Sequence, residues 1–177
     1  MLCGEDIDDV DEDGAGGDVA AAADLNPRPD TCECMTDELM FELAGKNWKV
    51  RKEALDNVVV NEVKFITNNI GPLPEALKPR LTDSNNIVDG VALTLCQQLA
   101  KSMGPGIKQY VRVLGPGIVS NFGDSKPSVR QSAMQTLNTW VERIGLAIIV
   151  KAQTMTDALK LENQILRAEL LGWFAIV

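Results

Sequence analysis

Histidine is absent from this chain of 177 residues. Its absence removes triads built on a His base and any metal site that needs an imidazole. Aromatic residues are few, at three Trp, four Phe and one Tyr, so a Trp set among cations calls for an explanation. No long apolar run exists either. The longest, IGLAIIV at Ile144–Val150, is far too short to span a bilayer, so no membrane partner is expected. The N-terminus MLCGEDIDDV has neither a cationic n-region nor an apolar run, and does not read as a signal peptide. Cysteine is limited to Cys3, Cys32, Cys34 and Cys96. Cys32-Glu-Cys34 lacks the paired spacing of zinc sites, so free thiols in a reducing compartment, cytosolic or nuclear, are expected. Gly104-Pro105-Gly106 and Gly115-Pro116-Gly117 lack the lysine ending of a phosphate loop and no strand precedes them, so both read as helix breakers between units. With no nucleophile–base pair, metal cluster or nucleotide loop, the expectation is a protein without cofactor, metal or enzymatic activity.

What is present divides into a tail and a body. Residues 1–38 hold thirteen acids against Arg28 alone, a net charge of −12, whereas residues 39–177 hold twelve acids and sixteen bases, a net +4. From Met1 to about Asp30 the chain is Asp, Gly and Ala with almost no large apolar residue. Such a composition buries too little surface to offset its ordering entropy, and residues 1–34 read as a disordered acidic linker. DVDEDG superficially suggests a calcium loop, but Ala20 stands where the loop's terminal Glu belongs. The basic body suits an acidic partner. Nucleic acid is disfavoured, because +4 is modest and the cations gather on turns instead of lining a groove.

Beyond the linker, apolar positions recur at helical spacing. Leu73, Leu77 and Leu81 form one stripe, and Val88, Val91, Ala92, Leu95 and Leu99 the next. No stretch alternates as a strand does, so the class is all-α. A shift of 41 residues lays TDSNNIVDGVALTLCQQLAKSMG on GDSKPSVRQSAMQTLNTWVERIG, pairing Asp83 with Asp124, Val88 with Val129, Ala92 with Ala133 and Gly104 with Gly145. A shift of 38 lays GKNWKVRKEAL on DSNNIVDGVAL, and a fainter copy places Leu166-Arg167 37 residues after Val129-Arg130. About four helical hairpins are expected, over residues 35–68, 71–104, 107–145 and 155–177, stacked as a HEAT-type α-solenoid.

Equivalent turns of a solenoid line up along one edge, giving a ridge roughly 25–30 Å long for four hairpins packed 8–10 Å apart. That ridge carries Trp48 and Lys49, then Ser84 and Asn85, then Lys126, then Asn163 and Gln164. One aromatic with cations and amides beside it is the composition of a protein-binding hot spot. Trp48 has two readings at this point, an interface anchor or a cap folded over the first repeat. If it is a pure anchor, Trp48→Ala should barely move the melting temperature. Arg51 and Arg130 read as rungs of an Asp–Arg ladder along the stack, and Trp140 and Trp173 as core.

GKNWKVRKEAL, LTDSNNIV, QQLAKSMGPGIKQYV, FGDSKPSVR and LRAELLGW, in that order, resemble a TOG domain of the ch-TOG-type microtubule polymerases, most closely the fourth. The resemblance covers about Pro27 to Phe174 and extends to the acidic DLNPRPD segment. It implies a flat paddle of HEAT repeats whose intra-repeat turns bind αβ-tubulin, at microtubule ends, spindle poles and centrosomes in the cytoplasm. It further implies that Trp48 is the first-turn anchor and Lys49 its companion, with Ser84 and Asn85 on the second turn and Lys126 on the third. Residues 35–177 then form a partial TOG domain, because the family has six repeats. The alternative is a HEAT scaffold for another acidic protein. Leu170, Leu171, Trp173, Phe174, Ile176 and Val177 are expected to lie uncovered and to invite self-association.

Overall fold

The computed structural model describes residues 36–59 and 69–177. The acidic linker expected over residues 1–34, and Cys3, Cys32 and Cys34 with it, lie outside the described residues. Those described contain no strand. Thr36 opens the first helix, α1 (Asp37–Leu43), by accepting the Leu39 amide on Oγ1 at 3.2 Å. Asp37 and Glu38 then sit favourably at the positive end of the helix dipole. After a turn containing Gly45 comes α2 (Trp48–Val59).

The second hairpin pairs α3 (Leu73–Leu77), continued by a 3-10 turn at Lys78–Thr82, with α4 (Asn86–Met103). The tightening coincides with Pro79, which has no N–H for an α-helical bond. Leu73, Leu77 and Leu81 nevertheless stay on one side and are fully buried. The third hairpin pairs a 3-10 segment (Gly104–Tyr110), α5 (Val111–Ser120) and a 3-10 turn (Asn121–Gly123) with α6 (Pro127–Ile144). The fourth has α7 (Leu146–Lys151) and α8 (Thr154–Lys160) on one arm and α9 (Gln164–Phe174) on the other.

Two layers result. The first arms pack in sequence, α1 on α3, α3 on α5 and α5 on α8, while α2, α4 and α6 stack behind them. Between the layers lie Leu55, Val88, Ala92, Leu114, Ile118 and Phe122, with Trp140 fully enclosed. Both α4 and α6 end at a glycine with positive φ, Gly104 at 58° and Gly145 at 81°. Nothing crowds a side chain at either position, so glycine serves the backbone reversal itself.

Polar groups tie α4 to α6 at depth. The Trp140 indole N–H donates to the Cys96 carbonyl at 3.0 Å, and the Thr136 hydroxyl to the Leu93 carbonyl at 3.1 Å. Cys96 is a free thiol, as expected, and burial pushes its pKa up.

Two expectations need correction. Gly104-Pro105-Gly106 does separate two hairpins, but Gly115-Pro116-Gly117 lies inside α5. A Cβ at Gly117 would stand 2.7 Å from that of Leu81, so glycine here permits close approach of two first arms and breaks nothing. The C-terminal apolar residues are also not all uncovered. Leu170 and Trp173 are buried. The Trp173 ring meets Phe122 edge-on at 6.3 Å, and its N–H donates to Asn138 Oδ1 at 2.6 Å. Leu171, Ile176 and Val177 remain exposed.

Candidate protein-docking ridge

Each hairpin turn is held by its own short-range bonds. Asn47, Asn85 and Asn163 cap α2, α4 and α9, accepting the amides of Lys49 (3.0 Å), Ile87 (2.9 Å) and Leu166 (3.0 Å). Asp83 and Asp124 add a second bond by accepting the amides two residues on, of Asn85 (3.0 Å) and Lys126 (2.6 Å). In the first and third hairpins an arginine fastens the turn to its helix. Arg51 Nη1 donates to the Gly45 and Lys46 carbonyls at 2.9 and 2.8 Å, and Arg130 Nη1 to those of Asp124 and Ser125 at 2.9 and 3.2 Å.

The turns are also chained to one another. Arg51 grips Asp83 with two parallel bonds of 2.8 and 2.7 Å, and Arg80 reaches the same carboxylate at 3.1 Å. Asn86 donates to Asp124 at 3.3 Å, and Asn163 to the Gly123 carbonyl at 3.1 Å. Burial alone would raise the Asp83 carboxyl. The bonds from Arg51 and the Asn85 amide, with the Arg51 and Arg80 charges, outweigh it and hold the carboxyl below its ordinary range. Only the first rung is Arg–Asp as the spacing predicts. Arg130 pairs instead with Glu169 at 3.0 Å.

In the second hairpin the position after the core valine is Asp89, where Arg51 and Arg130 stand in their own hairpins. Asp89 is only 3% exposed, and its Oδ1 has no hydrogen-bond partner among the described residues. Burial lifts its pKa to about 7. A bond from Asn121 opposes that lift, and the Asp124 and Asp83 charges reinforce it. Sequence comparison of the repeats carries this signal plainly, as an Asp in an arginine column.

Trp48 and Lys49 open α2, Ser84 and Asn85 precede α4, and Lys126 precedes α6, so the five predicted residues fall on three successive linked turns. Ser84, Lys49 and Lys126 are exposed, while Asn85 is half-buried with its side chain used as a cap. The core covers part of Trp48, as its capping reading expects. It is half-buried and packs on the core, and Lys49 Nζ stands 6.0 Å from its ring centre. Sequence reasoning missed the exposed apolar residues of this edge, Ile87 (51%), Leu161 (52%) and Ile165 (45%). Ile87 and Ile165 directly precede the core residues Val88 and Leu166, a column in which an apolar residue has no core to fill.

Among the described residues no cluster of His, Cys, Asp or Glu could hold a metal ion, and no helix is long and apolar enough to cross a membrane.

No family model matches the chain. Protein mini spindles of Drosophila melanogaster is 37% identical over 155 residues, covering 86% of this chain and 8% of the relative. The chain thus spans under a tenth of that relative's length. Among solved structures, one from work on microtubule plus-end tracking by XMAP215, CLIP-170 and EB1 superposes with a TM-score of 0.73. It is 22% identical and covers 88% of this chain and 66% of its own. Another, from work on tubulin recruitment and assembly by microtubule polymerases with TOG domain arrays, gives 0.72 at 18% identity, covering 86% and 32%. By sequence the chain belongs to the ch-TOG-type family, and the fold it carries is that of a TOG domain.

Proposed function

We propose that residues 35–177 form a tubulin-binding TOG module, whose turn ridge docks an αβ-tubulin heterodimer as part of the machinery that extends microtubules. One observation supports the reading: the turns are chained by hydrogen bonds into a fixed edge, on which Lys49, Ser84 and Lys126 stay exposed and Trp48 half-exposed. A preorganised edge loses little conformational freedom on binding. Trp48 supplies the anchor, Lys49 and Lys126 the charge for an acidic partner, and Ser84 with Asn85 the polar rim. Ile87 adds apolar area between the second and third turns. The chemistry proposed is docking, with no covalent step, and a chain docked in this way is expected on the cytoskeleton, at microtubule ends, spindle poles and centrosomes.

The reading is tested by size-exclusion with purified tubulin, with parent and Lys126→Glu side by side. Co-migration of the parent is expected. The variant should bind more weakly, with the deficit larger at low salt than at high. Failure of the parent to co-migrate, or a salt-independent effect of the charge reversal, would leave the HEAT-scaffold alternative. Salt-steep binding to duplex DNA would instead favour nucleic acid. Leu171, Ile176 and Val177 are exposed at the end of α9 and just after it, and association of two copies through them is expected to appear as a concentration-dependent rise in sedimentation coefficient.

A further inference from the structure

The second arms are stacked tightly at one junction and loosely at the next. α4 and α6 lie against each other along their length, tied at Leu93–Thr136 and Cys96–Trp140. α9 instead rests on the Asn121–Gly123 turn and on α8, and meets α6 only sparsely. Arg130 reaches Glu169 near the turns, and Trp173 reaches Asn138 further in. Between α6 and α9 a groove of about 570 Å³ is left, within the range of natural binding clefts. Its walls are two stripes at helical spacing. α6 contributes Met134, Asn138, Val141 and Glu142, at i, i+4, i+7 and i+8. α9 and its continuation contribute Glu169, Gly172, Trp173 and Ile176, at i, i+3, i+4 and i+7. Glycine inside a helix costs stability relative to alanine. No neighbour requires it at Gly172, where a Cβ would meet nothing within 4 Å. What its bare backbone provides is a low wall.

We infer that this groove is a second protein-binding site, which takes a basic amphipathic helix of a partner. Two facing stripes at helical spacing, with a gap between them, are the walls that a third helix needs. The wall from Met134 to Glu142 rises about 12 Å, two helical turns, so the occupant seats apolar anchors at i, i+4 and i+7. Met134, Val141, Trp173 and Ile176 supply the apolar surface, and the occupant's backbone comes closest over Gly172. Charge selects the occupant's polar face. Glu142 and Glu169 are the charged residues of the lining, and no Lys or Arg is among them. Arg130 neutralises part of Glu169 at the end nearest the turns, which leaves Glu142, exposed on α6, as the main counter-charge for a partner Lys or Arg. The site does not depend on the docking reading above. It lies on the facing sides of α6 and α9, and its charge is opposite to that of Lys49 and Lys126 on the ridge. One module can therefore hold an acidic partner on its edge and a basic helix in its groove at the same time.

The test uses the full chain and a synthetic helix of about four turns, with leucines at i, i+4 and i+7 and lysines flanking them. Its central leucine is a diazirine analogue, and photo-crosslinks are mapped by mass spectrometry. They should fall on 134–142 and 169–176. Links confined to residues 1–34, or to any other surface, would overturn the inference, and so would equal labelling by a helix with glutamates in place of the lysines. Affinity for the same peptide, read by fluorescence anisotropy, is then compared between parent and two variants. Gly172→Leu fills the groove and favours α9, so its melting temperature should hold while affinity falls about tenfold or more. Glu142→Lys, on the exposed rim, should weaken binding about three- to tenfold at low salt, with the difference closing at high salt. Unchanged affinity in both variants would overturn the inference. A dimer in sedimentation velocity that Gly172→Leu dissolves, with no peptide crosslinks in the groove, would give the site to a second copy of this chain instead.

Discussion

Arg51 and Asp89 hold equivalent places in adjacent hairpins and pull in opposite directions. Arg51 satisfies a buried carboxylate and two turn carbonyls. Removing it as Arg51→Ala leaves Asp83 enclosed with Arg80 as its one counter-charge among the described residues, beside the Asn85 amide, and should cost about 3 kcal/mol or more by urea denaturation. Arg51→Lys should recover little, since an ammonium cannot grip the carboxylate and both carbonyls at once. Asp89 has the reverse character. Its pKa near 7 in the fold lies above the ordinary 3.9 of an unfolded chain, so folding favours the neutral acid. Below about pH 4 both states are protonated and nothing is lost. As pH rises towards 7 the unfolded chain ionises first and stability falls, levelling off above 7. The groups facing Asp89 are Asp83, Asp124 and Asn121. Asp83, with its lowered pKa, contributes stability at neutral pH that is lost only as pH drops below about 4, so the two windows separate. Between pH 5 and 7 the parent should lose on the order of 2 kcal/mol. Asp89→Asn should flatten that slope and be the more stable protein at pH 7.5. A parallel slope in both would show that Asp89 is not the titrating group.

At the scale of elements, two glycines predict opposite outcomes for the same substitution. Gly117 in α5 lies against Leu81, and Gly117→Ala should force the first arms apart at about 1–3 kcal/mol. Gly90 in α4 has open space around it, and Gly90→Ala should instead stabilise by about 0.5–1 kcal/mol. Thermal melts of the pair, made together, check both signs. The contrast also shows what the sequence could and could not convey. Stripes such as Leu73–Leu77–Leu81 and the 41-residue shift express periodic burial, which every hairpin must repeat, so the class, the hairpins and the ridge edge are legible. Gly115-Pro116-Gly117 looked like punctuation because its role depends on Leu81, more than thirty residues away. The repeated spacing of Asp124, Val129 and Arg130 points Arg130 at an Asp, yet Glu169 on α9 reaches it from the far side. Asp89 was visible in the repeat alignment, but its meaning required knowing that the position is enclosed.

For the whole molecule, Trp48 is the residue at which stability and the proposed docking can be tested together. Because it packs on the core as well as facing the ridge, Trp48→Ala should lower the melting temperature measurably, against the pure-anchor expectation. It should also weaken tubulin binding about thirtyfold, as loss of a hot spot does. Binding measured well below the melting point separates the two; a stability loss with unchanged binding would leave Trp48 a cap alone. Hydrogen exchange should be slowest in α4 and α6, which are flanked on both sides, and faster in the short α7. The arginine clasps occur between the first and second turns and between the third and fourth hairpins, whereas side-chain amides bridge the second and third near that edge, Asn86 donating to Asp124 and Asn121 to the Leu81 carbonyl. Further down the same junction, the Cys96–Trp140 and Leu93–Thr136 bonds hold α4 against α6. The seam between the second and third hairpins is therefore riveted through its depth, by side-chain amides near the turns and by hydroxyl and indole bonds further in, so the stretch of ridge from Asn85 to Lys126 is one rail and not two.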